Sequence, residues 1–266
     1  MNDKFKKKLD FWENQAGLFK ESQLATAPDI YYRDLEIKSI LEYLPKGERK
    51  RVLDIGCGNG YSTFIFAKER PDMNFVGVDY SEQMVHYADE VNKKQANNIK
   101  DRIKFIKGDV MGLTGNKFLE GQFDYIISER CLINLQNWEE QQYALLELKK
   151  YLTPKGKIVL CENTQDGLAR LNVMRASLGL GEIKVRWHNY YISEEKLLNF
   201  AKENFNLIDV KNIGSLYYII SRVVYAKLCE MEGKEPEYLN PINKVAAQLP
   251  YLGNYSPNFI FILENK

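Results

Sequence analysis

The residues best placed to do chemistry stand where short apolar runs end. From Val52 to Gly60 the chain reads VLDIGCGNG. Gly56, Gly58 and Gly60 strip the backbone of side chains, so it can turn tightly and let a ligand approach. Tyr61 then opens a helix whose first N–H groups lack intrahelical partners and face that ligand. Nineteen residues beyond Gly60, Asp79 closes the run VGVDY, where a carboxylate accepts hydrogen bonds from both hydroxyls of a ribose. A third run ends in Gly108-Asp109-Val110, with a second carboxylate placed for the amino group of an adenine. A tight turn and two unrelated surface acids leave unexplained why all three fall at strand ends. The spacing predicts a site for an adenosine-containing ligand.

A second set of residues could act on whatever that ligand meets. Ser128-Glu129-Arg130-Cys131-Leu132-Ile133-Asn134 follows the fourth apolar run. The planar guanidinium of Arg130 matches a phosphate or carboxylate; it could equally pair with Glu129 or a neighbouring acid. Asn134 orients a hydroxyl or caps the next helix, and Cys131 reads as a packing thiol. Further on, Arg186-Trp187-His188-Asn189-Tyr190-Tyr191 gathers a cation, a base and stacking surfaces. His188, Arg130 and Glu129 are the candidate catalytic residues, with Glu162 and Asp166 as competing bases. His86 lies inside a helix, away from this edge. Arg33 and Glu36, one helical step apart, read as a surface pair as readily as a substrate contact.

These residues need a scaffold that brings strand ends together. Phe5, Leu9, Trp12, Ala16 and Phe19 recur at helical spacing, and a second helix is predicted from about Tyr31 to Leu44. From there strands and helices alternate. Strands are expected at Val52 to Ile55, Asn74 to Val78, Ile103 to Lys107, Phe123 to Ser128, Lys157 to Cys161, Phe205 to Lys211 and Phe259 to Leu263. Helices are expected at Tyr61 to Glu69, Ser81 to Lys94, Asn137 to Tyr151 and Ser193 to Glu203, with a turn over Thr153 to Gly156. Alternation of this kind argues for α/β architecture with a doubly wound sheet, which binds ligands at the carboxyl ends of its strands. Residues 1–49 are expected as an N-terminal helical cap, and 50–266 as the ligand-binding domain. Two long excursions, about 164–192 and 214–256, exceed what the connections need, which usually marks function. The second is read as a helical lid between strands six and seven, rich in aromatics.

The dinucleotide fingerprint GxGxxG would put its third glycine at Tyr61. The chain instead has GxGxG, preceded by Asp54. On these residues it resembles the class I S-adenosylmethionine-dependent methyltransferases. VLDIGCGNG is similar to that family's first motif almost letter for letter, and Asp79, Gly108-Asp109 and the SER segment are similar to later ones, over roughly Lys50 to Glu162. The resemblance implies S-adenosyl-L-methionine as cofactor and a Rossmann-like seven-stranded sheet with an antiparallel last strand. It implies Asp54 and the loop backbone of Gly56, Cys57 and Gly58 on the methionine part. Asp79, with Tyr80 adjoining it, falls at the ribose, Asp109 at the adenine amino group and the Val110 N–H at the ring. Ser128 falls beside the sulfonium.

Methyl transfer from a sulfonium is an in-line displacement governed largely by alignment, and a hydroxyl acceptor also needs a base. The expected acceptor is an oxygen or nitrogen of a small polar metabolite, a sugar derivative by analogy at the level of the fold. The alternatives are a non-catalytic subunit that binds the cofactor, and an NAD-dependent oxidoreductase or epimerase.

Composition narrows the classes. The 266 residues are 45% hydrophobic and 27% charged, and 37 Lys and Arg offset 36 Asp and Glu. A nucleic-acid binder normally carries a basic excess, so none is expected. The four cysteines form no CxxC pair and only two histidines accompany them, which disfavours a disulfide framework or any metal site. No apolar run approaches a membrane span, and MNDKFKKKLDFW lacks the apolar core of a signal peptide. A cytoplasmic location is expected. The apolar excursion 214–256 suits a homodimer surface as well as a substrate cover.

Overall fold

The computed structural model describes residues 3–114 and 119–266. Seven strands form one sheet: β1 (Arg51–Ile55), β2 (Asn74–Asp79), β3 (Ile103–Lys107), β4 (Phe123–Glu129), β5 (Leu152–Asn163), β6 (Phe205–Asn212) and β7 (Asn258–Asn265). Their order is β3-β2-β1-β4-β5-β7-β6. The first five run parallel, and β7 inserts antiparallel between β5 and β6. The reversal of order at β1 and β4 opens the crevice where such sheets bind ligands.

The strands read as continuous apolar runs because both faces are covered. Leu53 and Ile55 of β1 join one core with Ile126, Ile158 and Phe261. Val52 joins the opposite core with Phe75, Ile127 and Val159. The covering helices are α1 (Asp3–Phe19), α2 (Ile30–Leu41), α3 (Tyr61–Glu69), α4 (Glu82–Lys93), the short α5 (Asn97–Lys100), α6 (Trp138–Lys150), α7 (Gln165–Ser177) and α8 (Glu194–Asn204). Short polar side chains start several of them. Asp29 accepts from the Tyr32 N–H, Ser81 from Met84, Asn137 from Glu140 and Thr164 from Gly167.

Three features depart from the sequence reading. The turn expected over Thr153 to Gly156 lies inside β5, whose pairing begins at Leu152 opposite Phe123 and shifts register between Phe123 and Tyr125. Such an irregularity admits extra residues without ending the strand. The helix α2 is a layer of the sheet rather than part of a separate cap: Tyr32, Leu35, Ile37 and Ile40 are buried in the same core as Val159 and Ile260. The first excursion carries a helix that the sequence reading lacked, α7, whereas the second is helical as the lid reading expects. The second carries α9 (Ser215–Tyr218), a π-helical stretch over Ile219–Val224, α10 (Tyr225–Met231) and α11 (Pro241–Ala246). Among the described residues, no helix is long and apolar enough to cross a membrane.

Candidate active site

A cavity of about 230 Å³ opens at the carboxyl ends of β1, β2 and β4. One end is built by the glycine loop. The N–H groups of Gly56 and Cys57 both reach the Val78 carbonyl, at 2.7 and 3.1 Å. Gly56 and Gly58 have φ of +71° and +55°, where only glycine sits without strain. A Cβ on Gly56 would lie 2.6 Å from both Cβ and Sγ of Cys131, and one on Gly58 2.7 Å from Thr26 Cγ2. Strain and overpacking together are expected to cost Gly56→Ala about 2–4 kcal/mol, read as a lowered Tm. Asn59, buried in the loop, donates to the carbonyls of Lys20 and Ser22, tying it to the α1–α2 connection.

Asp79 closes this end. Its carboxylate accepts from the N–H of Gly58 and of Ser81, both at 2.9 Å. Burial pushes its pKa up to about 6, against the pull of those two bonds. Asp79, Gly56, Gly58 and Tyr80 all line the cavity. Asp109 and Val110 stand at the neighbouring strand end, outside the cavity wall, where the Asp109 carboxylate accepts from the Met111 N–H. Asp54 lies beneath the loop rather than in the wall: it is 2% exposed and accepts from Thr63 Oγ1 at 2.6 Å. Cys57 is buried, its Sγ 3.6 Å from the Gly58 carbonyl.

Arg33 and Glu36 are not a surface pair. Both are buried, and both face the end of β4 in a crossed arrangement. Arg33 Nε lies 3.3 Å from Glu129 Oε1, and Arg130 Nε lies 3.2 Å from Glu36 Oε1. The three-residue step places Arg33 and Glu36 on one face of α2, opposite two consecutive residues of the strand end. Arg130 thus pairs with a neighbouring acid, Glu36, and not with Glu129. Its backbone has φ +54°, a region uncommon for residues other than glycine and frequent at functional sites. That conformation is held by its N–H to the Cys161 carbonyl and by Asn134 Nδ2 to its own carbonyl. Asn134 caps no helix: its Oδ1 accepts from Trp12 Nε1 at 3.2 Å.

Ser128 and Glu162 sit below this segment. Ser128 is fully buried and donates to Glu162 Oε1 at 2.7 Å, so its hydroxyl is turned away from the cavity. Glu162 also accepts from the N–H groups of Cys131, Leu132 and Ile133. These four bonds lower its pKa, but burial prevails and raises it to about 7. As a competing base Glu162 is spoken for. Asp166 is likewise engaged, accepting from the Glu194 N–H at 2.8 Å.

The cap over the cavity is α1. Glu13 accepts from the N–H groups of Glu82 and Gln83 at the start of α4, while Lys8 donates to the carbonyls of Asn134 and Leu135. His188, 4% exposed, stacks on Phe11 with ring centroids 4.7 Å apart and meets Trp12 and Trp187 edge-on. Burial, then the charges of Arg186 and Lys8, lower its pKa to about 4. It is neutral and a weak base at pH 7, and its ring both docks α1 and lines the cavity. A histidine whose folded pKa lies below its unfolded one contributes stability above pH 6.5 that is lost as pH falls towards 4. The stability advantage of the native chain over His188→Phe is therefore expected to shrink between pH 6.5 and 4, by about 2 kcal/mol, in melts at stepped pH.

The far end of the cavity is formed by Arg130, Asn163, Lys184, Arg186, Tyr191 and the lid residues Tyr218, Arg222 and Tyr238. Arg222 and Tyr217 both donate to Asp29, latching the lid to the start of α2. The Arg222 guanidinium lies 4.6 to 5.8 Å from the rings of Tyr238, Tyr218 and Tyr217. The partners of Arg33 and Glu36, and the lid latch, escaped the sequence reading because nothing local marks residues that lie about a hundred or more positions away. Among the described residues there is no cluster able to hold a metal ion.

An open α/β sheet with a glycine loop and an acidic β2 end defines a class of adenosine-ligand proteins, and comparison with known proteins narrows it. A family model described as a methyltransferase domain matches residues 46–204. The chain belongs to the S-adenosylmethionine-dependent methyltransferase family. It is 30% identical over 195 residues to a demethylmenaquinone methyltransferase of Lactobacillus johnsonii, covering 72% of this chain and 70% of that one. It is 29% identical over 119 residues to an uncharacterized methyltransferase of Schizosaccharomyces pombe, covering 45% of this chain and only 41% of that one. The fold is that of the N-methyltransferase NodS of Bradyrhizobium japonicum, solved with S-adenosyl-L-homocysteine: TM-score 0.57 and 13% identity, covering 97% and 98% of the two chains.

Proposed function

We propose that the protein transfers a methyl group from S-adenosyl-L-methionine to an oxygen or nitrogen of a small polar molecule that enters at the Arg130 and Tyr218 end of the cavity. The observation that carries this reading is that the glycine-loop end and the cationic, tyrosine-lined end belong to one continuous cavity. The glycine loop suits the cofactor, since it stays close-packed in the cavity wall, where a Cβ at Gly56 or Gly58 would collide with Cys131 or Thr26. When bound, the cofactor supplies a methyl on a sulfonium, and the acceptor's lone pair takes the carbon while the C–S bonding pair stays on sulfur.

The chain's own residues divide the remaining work. Asp79 keeps lone pairs for two ribose hydroxyls beyond its two backbone donors. Arg33 and Glu129, a cation beside an anion in the cavity wall, complement the carboxylate and ammonium of an amino-acid moiety. They take the methionine part, with Asp54 supporting the loop from beneath. Asp109 and Val110 serve the adenine. Helix α1 and the 214–256 lid exclude water and align the reactants.

Thermal unfolding with S-adenosylhomocysteine, S-adenosylmethionine, NAD and no ligand tests this. A ligand at a hundred times its dissociation constant stabilises by about 2.7 kcal/mol, a rise of roughly 5–10 °C for a chain of this size. A rise with NAD alone overturns the cofactor; a rise with the sulfur ligands but no turnover of any acceptor favours a binding subunit.

A further inference from the structure

The carboxylates and the histidine named as bases are all occupied or weak. Glu129 pairs with Arg33, Glu162 holds three N–H groups and a hydroxyl, Asp166 caps α8, and His188 is stacked beneath α1. The cations differ. Arg33, Arg130, Lys184, Arg186 and Arg222 line the cavity against three acids, Asp29, Asp79 and Glu129. Arg33 and Arg222 have acidic partners inside the cavity, and Arg130 pairs through Nε with Glu36 behind the wall. Glu36 is itself fixed by Asn258, which also bonds Asn163. Among the described residues Lys184 and Arg186 have no ion-pair partner, although both are in the wall. A sulfonium in place would raise the excess positive charge by one.

From this juxtaposition, and resting on the methyltransferase reading above, we infer that the acceptor is an oxyanion. It enters carrying a carboxylate or phosphate, which Arg130, Arg186 and Lys184 hold against the rings of Tyr191 and Tyr218. The guanidinium of Arg130 is the positioned element: its backbone sits at φ +54° and its Nε lies 3.2 Å from the buried Glu36, which leaves the other edge of the fork for an incoming anion. Arg186 and Lys184 supply the more exposed part of the field, which also raises the rate of encounter. An acceptor atom that is already ionised has no proton to surrender, so a site whose carboxylates are paired and whose histidine is a weak base is sufficient for it.

The test uses the full chain saturated with S-adenosylhomocysteine and four probes of one ring size: benzoate, phenyl phosphate, benzamide and benzylamine. Calorimetry is expected to show the two anions binding at least about tenfold more tightly than the amide or the amine; the stronger of the two anions tells carboxylate from phosphate. Arg130→Gln and the exposed Arg186→Gln are each expected to weaken anion binding about tenfold while leaving S-adenosylhomocysteine affinity unchanged. Arg186 touches no core, so its variant is informative even where Arg130→Gln lowers stability. Equal binding of benzamide or benzylamine, no binding of either anion at millimolar concentration, or unchanged anion affinity in Arg186→Gln overturns the proposal alone. Failure of S-adenosylhomocysteine to bind overturns the cofactor reading, and the proposal with it.

Discussion

Asp79→Ala is expected to weaken S-adenosylhomocysteine binding at least about a hundredfold, measured by calorimetry on folded protein. Two losses combine. The carboxylate no longer meets the ribose hydroxyls, and hydrogen bonds to a charged group are worth about 1.5–3 kcal/mol each. The N–H groups of Gly58 and Ser81 also lose their acceptor, at 2.9 Å in each case, so the glycine loop is no longer pinned to the end of β2. Asp79→Asn separates the two effects, because its amide oxygen keeps one loop contact and loses the charge. An intermediate affinity is expected there. Affinity unchanged in both variants would remove the ribose from Asp79.

The largest effect on stability is expected at Glu162, a residue with no direct part in the proposed chemistry. Glu162→Ala strands four donors: the buried Ser128 Oγ and N–H groups of Leu132 and Ile133, and the half-buried Cys131 N–H. A buried donor without a partner costs about 1–3 kcal/mol, and some relief comes from relaxation of the turn. A net loss of about 4–6 kcal/mol is expected, which lowers Tm by roughly 10–20 °C for a chain of this length. Glu162→Gln keeps one acceptor oxygen and should fall between that value and the native one. The consequence for the site is direct, since the same turn carries Arg130, Cys131 and Asn134 into the cavity wall. A Tm within a degree or two of the native value would show that water or another group takes over the four donors.

The strands and the glycine loop were legible because their signals are local. A run such as VLDI or FIFIL is apolar on both sides because both faces of the sheet are covered, and that pattern survives without knowledge of any partner. Ser81, Asn137 and Ser193 announce helix starts by chemistry that acts over three residues. The segment over Thr153 to Gly156 misled for the same reason. Pro and Gly are read as a turn, whereas the strand runs through: Leu152 and Lys157 pair with Phe123 and Tyr125 of β4, and the four residues between them stand out of the ladder with Lys155 at φ +64°. The π-helical stretch over Ile219–Val224 and the helix α7 carry no local mark that sets them apart from an ordinary excursion.

The sheet, the glycine loop and the acids at the ends of β2 and β3 are each specified by neighbours within a few residues. The charged groups take their roles from partners far off in the chain. Glu129 and Arg130 are adjacent in the chain, yet each meets the opposite charge on α2 instead, because a strand end turns consecutive residues in different directions. Glu162 became a clasp for a turn some thirty positions away, Asp54 a support beneath the loop, and His188 a docking surface for α1. A charge taken out of water must find a partner or lose its charge, and which partner it finds is set by packing across the fold.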